Sequence, residues 1–137
     1  MERTSINPAK WGANFALDQA VLTTGESRVL RISGQVSMVD DASAEMGFKI
    51  MHEGDMAGQM RQALANADAV LKAADMSRSD IVFVRLNTTD MEAFMANYGV
   101  YAEWISAGGI TPANTVIGVQ CLALPELLIE IEITAAA

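Results

Sequence analysis

TPANTVIGVQCLALPELLIEIEIT, residues Thr111 to Thr134, reads as two strands joined at Leu124-Pro125-Glu126. In the second strand Ile129, Ile131 and Ile133 alternate with Glu130, Glu132 and Thr134, the period-two pattern of a strand with one buried face. In the first, Thr115, Ile117, Val119 and Cys121 point one way, and Asn114, Val116, Gly118 and Gln120 the other. With both apolar faces turned to a core, Asn114, Gln120, Glu130 and Glu132 share the opposite face of the sheet. Two carboxylates and two amides on one sheet face are either solvated surface, the commoner case, or the wall of a site.

Upstream of this pair the apolar spacing changes from two to three and four. Asp55 is placed as an N-cap, and Met60, Ala63, Leu64, Ala67, Val70, Leu71 and Ala74 form the buried stripe of a helix. Ser77 to Asp80 interrupts it. Ile81 to Thr88, IVFVRLNT, is an apolar run of strand length that belongs in the middle of the sheet. Thr89 and Glu92 have capping-box spacing. The helix they open carries Phe94, Tyr98, Tyr101 and Ile105 on one face and stops at Gly108-Gly109.

Nearer the N-terminus, Met1 to Asn14 is irregular. A hairpin is expected from Ala16–Leu22 and Arg28–Ser33, turning at Thr24-Gly25-Glu26. Gly34 marks a bulge or a close backbone approach. Val39 to Gly54 is mainly loop, with a short strand at Phe48 to Met51. The order is β-β-(short β)-α-β-α-β-β, which predicts one α+β domain over residues 1–137, with two helices on one face of a mixed sheet. Its other face, with Leu17, Val29 and Val116 otherwise in water, is expected to associate.

Composition narrows the partners. Nine basic and seventeen acidic residues give a net charge of −8, and the Lys and Arg residues form no cluster. Nucleic acid binding needs a cationic footprint, so RNA and DNA are disfavoured. One cysteine permits no internal disulfide and fits a reducing cytoplasm. There is no signal peptide pattern and no apolar run of the roughly 18 residues that span a membrane. Cys121, on the face assigned to the core, is expected to be a buried structural thiol. His52 is the single histidine, close to Glu53 and Asp55, and a solvated approach to the helix is favoured over a metal site. No metal and no cofactor is expected, and no phosphate loop or dinucleotide fingerprint occurs.

Several strings, in order, resemble one family. They are Ser33-Gly34-Gln35; Asp55, Gln59, Gln62, Leu64 and Asn66; Asp80-Ile81-Val82; Phe94 and Tyr101; Pro112-Ala113; and Ile129-Glu130-Ile131-Glu132. Together, from about Gln19 to the end, they resemble the reactive-intermediate deaminase (Rid) family, also called YjgF and labelled endoribonuclease L-PSP. The resemblance implies a chorismate-mutase-like fold, a homotrimer packed sheet to sheet around a closed barrel, and a small-molecule cleft at each subunit interface. It also implies a deaminase site. An arginine after the Pro-Ala pair grips a substrate carboxylate. A glutamate at the first position of the Glu-x-Glu pair places the water that attacks an imine carbon.

By position, Glu130 is then the catalytic carboxylate and Ser33 the pocket serine. Three positions depart from the family pattern: Asn114 stands at the arginine, Leu17 at a tyrosine and Val116 at a cysteine. Asparagine is neutral and has no planar cationic fork. Carboxylate-bearing imines are therefore expected to be poor substrates. Three readings follow: a diverged deaminase or hydrolase of a C–N bond using Glu130, a non-catalytic ligand-binding or regulatory trimer, and, disfavoured by charge, the ribonuclease of the family label.

Overall fold

The computed structural model of the chain covers residues 1–137. Its strands are β1 (Glu2–Ile6), β2 (Ala20–Thr24), β3 (Val29–Gln35), β4 (Met38–Asp40), β5 (Phe48–Ile50), β6 (Ile81–Thr88), β7 (Ala113–Gly118) and β8 (Ile129–Ala136). Its helices are α1 (Met56–Ala73), α2 (Met91–Ala96) and α3 (Tyr98–Ser106). The main sheet has the order β3-β8-β6-β7. Its β6–β7 contact is parallel and the other two are antiparallel, which makes it mixed. The α+β architecture is therefore the one expected.

Periodicity explains the core. Ile129, Ile131 and Ile133 of β8 are buried beside Val84 and Leu86 of β6 and Ile32 of β3. Met60, Ala63, Leu64, Ala67 and Leu71 of α1 cover them. Each fully buried aliphatic side chain contributes about 1.5–3 kcal/mol by leaving water. Asp55 caps α1 as expected, its carboxylate accepting from the Gly58 N–H at 3.0 Å. Two amides, Gln59 buried and Asn66 half-buried, stitch α1 to the rest of the chain. Gln59 Nε2 donates to the Glu126 carbonyl (2.9 Å), and its Oε1 accepts from the Leu128 N–H (2.8 Å). Asn66 Nδ2 donates to the carbonyls of Val36 and Met38, both at 2.9 Å.

Four expectations need correction. The expected second helix is two pieces that meet at Asn97, and its cap is Asp90, which accepts from the Ala93 N–H at 3.0 Å. The strand β2 pairs with β1, in a residue range expected to be irregular, and not with β3. The strand β6 lies between β7 and β8, so the C-terminal strands are not neighbours.

The fourth correction is the face of β7. Its register with β6 sets Asn114 beside Val84 and Val116 beside Leu86, both buried under the helices. Thr115 and Ile117 face outward instead, with Arg85, Asn87, Glu130 and Glu132. The two faces of β7 carry one aliphatic residue each, Val116 and Ile117, so its own alternation could not choose between them.

The β1–β2 ribbon is held by a polar knot. Ser5 Oγ and Asn7 Nδ2 donate to the buried Asp18 carboxylate, and Arg3 donates to the Ile81 carbonyl at 2.6 Å. Burial opposes ionisation of Asp18. Hydrogen bonds from Ser5, Asn7 and Thr111 and the charge of Arg3 outweigh it and hold its pKa below the ordinary 3.8. A depressed carboxylate pKa contributes stability above the unfolded-state value, and that stability is lost as pH falls through the folded-state value. The melting temperature should therefore fall between about pH 5 and about pH 2, and Asp18→Asn should flatten that limb while lowering stability at neutral pH. Parallel slopes for the two proteins in a pH series of thermal melts would show that Asp18 is not the titrating link.

Candidate functional site

The outward face of the sheet holds a cleft lined by Glu130. It is built where β3 departs from regular pairing. Between Ile32 and Gln35 the ladder to β8 shifts by one residue, a β-bulge at Ser33-Gly34. The Glu130 side chain lies across this bulge. A Cβ placed on Gly34 would fall 2.5 Å from Glu130 Cδ and 2.7 Å from its Cγ, and closer still to Oε1. Gly34 is thus both the bulge and the close approach that its position suggested, and the close approach is by a carboxylate.

The cleft has a volume of about 360 Å³ and is lined by Gly34, Asn87, Glu130 and Glu132 on the strands and by the 119–123 loop. Asn87 Nδ2 donates to Glu132 Oε2 at 3.2 Å and to the Glu130 carbonyl at 3.3 Å. Glu132 also faces Arg85, with Nη1 3.8 Å away. No side chain or N–H of the chain bonds the Glu130 carboxylate, which lies against Gly34. Asn87 was not anticipated as a site residue. Its signal was present in the sequence: a lone amide next to Arg85 at period two inside an otherwise apolar strand.

The other expected site residues are dispersed. Ser33 is exposed on the bulge next to Gly34 and does not itself line the Glu130 cleft. Asn114 and Val116 lie on the opposite, helix-facing side of the sheet. This corrects the expectation that Asn114 shares a face with Glu130. Leu17 lies in the N-terminal segment, in a hollow with Asn7, Lys10 and Thr111. Within one chain, therefore, Glu130 lines the cleft and Ser33 adjoins it through Gly34, while Leu17, Asn114 and Val116 lie elsewhere.

Asn114 is engaged with α3. The Tyr98 hydroxyl donates to the Phe15 carbonyl at 2.8 Å, so its oxygen accepts from Asn114 Nδ2, at 3.4 Å. Burial raises the pKa of Tyr98, and more strongly that of Tyr101, so both stay neutral donors. The Tyr101 hydroxyl, near Asn114 and fully buried, has no well-formed hydrogen bond.

Cys121 is also corrected: it is exposed and lines the cleft. The strand expected to bury it ends at Gly118, after which the chain turns across the end of β6 with the Val119 N–H on the Thr88 carbonyl (2.8 Å). His52 is exposed, at a positive φ of 58° in the turn before α1. No group of three or more His, Cys, Asp or Glu side chains is gathered that could hold a metal ion. No helix is long and apolar enough to cross a membrane.

A larger hollow of about 470 Å³ lies between α1 and α3, lined by Arg61, Asp68, Arg78, Glu103 and Trp104 among others. Arg78 makes a two-pronged pair with Asp68 (2.8 and 2.6 Å) and stacks 4.7 Å from the Trp104 ring, whose Nε1 also donates to Asp68. The larger hollow sets Arg61 and Glu103 around this paired cluster, whereas the smaller cleft has an unpaired carboxylate and no cation in its lining.

Comparison with known proteins bears on the family and the fold. A family model described as Endoribonuclease L-PSP matches residues 14–137. A RutC family protein of Pyrococcus horikoshii is 36% identical over 107 residues, 77% of each chain. The mitochondrial protein mmf1 of Schizosaccharomyces pombe is 30% identical over 135 residues, 98% of this chain and 75% of its own. Among solved structures, YyfB from Yersinia pestis, a protein of unknown function of the conserved Rid family, is similar at a TM-score of 0.81 with 37% identity, covering 100% of both chains.

Proposed function

This chain belongs to the Rid/YjgF family described as endoribonuclease L-PSP, and from that premise we propose that it hydrolyses a C–N bond of an imine or enamine, with Glu130 placing the water. The observation that carries this is the Glu130 carboxylate lying unpaired over Gly34 in a cleft. An unpaired, positioned carboxylate can accept a proton from water as the water oxygen bonds to an imine carbon. The proton passes to nitrogen, the C–N bond of the resulting carbinolamine breaks, and ammonia and a carbonyl compound leave. Atoms balance with water as the single co-reactant.

The reading includes a homotrimer packed through the outward sheet face. Val29 and Ile117, 46% and 38% exposed on that face, support it. Light scattering on the gel-filtered protein at micromolar concentration should give three times the chain mass. A monomer would remove the interfacial site. Ammonia release from imines generated in situ tests the chemistry: turnover above the uncatalysed rate is expected for imines without a carboxylate, and weak turnover for 2-iminobutyrate. No release from either class would sink the hydrolase.

A second reading is a ligand-binding trimer without turnover. The engagement of Asn114 with Tyr98 favours it, because the residue at the family's arginine position is committed to the fold. A ribonuclease is disfavoured by the charge of −8. The cytoplasm is the proposed location, from the single cysteine.

A further inference from the structure

The Glu130 cleft offers a ligand hydrogen-bond acceptors and almost no donors. Asn87 is 9% exposed and its Nδ2 points at two acceptors, the Glu130 carbonyl and Glu132 Oε2. That fixes the amide, since the reverse orientation would set three oxygens against one another. Asn87 Oδ1 is consequently unpartnered in the cleft wall. The Glu130 carboxylate, also unpartnered, lines the same cleft from the β3 side, over Gly34. Glu132 is offset by Arg85, which lines the neighbouring hollow with Arg31 and Phe83 and does not line this cleft. The remaining walls are Val119, Cys121, Leu122 and Ala123. The balance is one uncompensated negative charge and one free carbonyl oxygen, with no Lys, Arg or His among the lining residues.

Resting on the reading of this cleft as the ligand site, we propose that its ligand is a small N–H-bearing monocation without a carboxylate: an ammonium, iminium or amidinium group. The Glu130 carboxylate and Asn87 Oδ1 are the acceptors that the cleft offers to such N–H groups. Charge-assisted hydrogen bonds of this kind are about twice as strong as neutral ones. A carboxylate in the same place meets Glu130 with like charge and finds no cation. The negative balance of the whole chain draws the same class of ligand toward the protein.

The test is calorimetric or NMR titration of the full chain with acetamidinium, its neutral relative acetamide, and acetate, which share one size and shape. Acetamidinium should bind at least tenfold tighter than acetamide, acetate should not bind, and the preference should shrink as salt is raised. Glu130→Gln should fold normally, because that carboxylate has no partner to lose, and should remove the tenfold advantage. Equal binding of acetamidinium and acetamide, tighter binding of acetate, or an unchanged preference in Glu130→Gln would overturn the proposal. The hydrolase fails separately: acetamidinium bound at Glu130 with no ammonia released from any imine would keep the recognition and discard the chemistry.

Discussion

Gly34→Ala is expected to lose nearly as much turnover as Glu130→Gln while leaving the protein folded. A new methyl at position 34 would meet the Glu130 side chain well inside van der Waals contact. Gly34 does not have a positive φ, so alanine fits its backbone. The atoms in the way are the far end of a flexible side chain, and the carboxylate yields before the sheet does. Stability should change little, by about 1 kcal/mol or less, since a compatible Gly→Ala change also reduces the freedom of the unfolded chain. Function should change much more. A reacting group displaced by about 1 Å can lose on the order of 10²-fold in rate, and removing the base by Glu130→Gln is expected to lose roughly 10²–10⁴-fold. The double variant should fall little below Glu130→Gln alone, because both changes remove one positioned carboxylate. Wild-type turnover in Gly34→Ala would show that the carboxylate need not lie over the bulge, and the cleft would lose its claim to be the site.

What was legible in the sequence follows from which interactions leave a pattern. The strand β8 and helix α1 bury one face each against a continuous core, so Ile129, Ile131, Ile133 and the stripe from Met60 to Leu71 show the periods of their elements. Asp55 and Gly34 were legible because each residue type has a local physical role. The strand β1 was not legible because its inward side chains, Arg3 and Ser5, are held by hydrogen bonds and not by apolar burial. The face of β7 was hidden for another reason. It is set by parallel pairing with β6, a long-range choice that puts Val116 inward and leaves Ile117 outside. Misreading that face put Asn114 beside Glu130, and extending the strand past Gly118 put Cys121 in the core. Glu130 was found because its neighbours in sequence, Ile129 and Ile131, fix its direction. Asn87 and the 119–123 loop were missed because they reach the cleft only through the folded sheet.

Gln59→Leu should be the most destabilising single change within the first helix. Gln59 is fully buried and uses both ends of its amide: Nε2 on the carbonyls of Glu126 (2.9 Å) and His52 (3.3 Å), and Oε1 on the Leu128 N–H (2.8 Å). Leucine fills a similar volume but leaves the Glu126 carbonyl and the Leu128 N–H without partners. At about 1–3 kcal/mol for each stranded group, the loss is roughly 2–5 kcal/mol, a large share of the 5–15 kcal/mol typical of a domain. At about 3–5 °C per kcal/mol for a chain of this size, the melting temperature should fall by about 10–20 °C. Gln62→Leu, three residues on, makes the matched control. Its amide bonds Asn66 within the same helix and ties no loop to it, so its change should be several-fold smaller. The damage should also reach the cleft. Leu128 follows the 122–127 segment, whose first residues Leu122 and Ala123 form a cleft wall, and its carbonyl accepts from both the Thr89 N–H and Thr88 Oγ1. Loosening Leu128 should therefore speed amide exchange from Leu122 to Leu128 and weaken binding of a small cation at a temperature where the variant is still folded. Equal melting temperatures for Gln59→Leu and Gln62→Leu would mean that water satisfies the stranded groups and that Gln59 does not hold this wall in place.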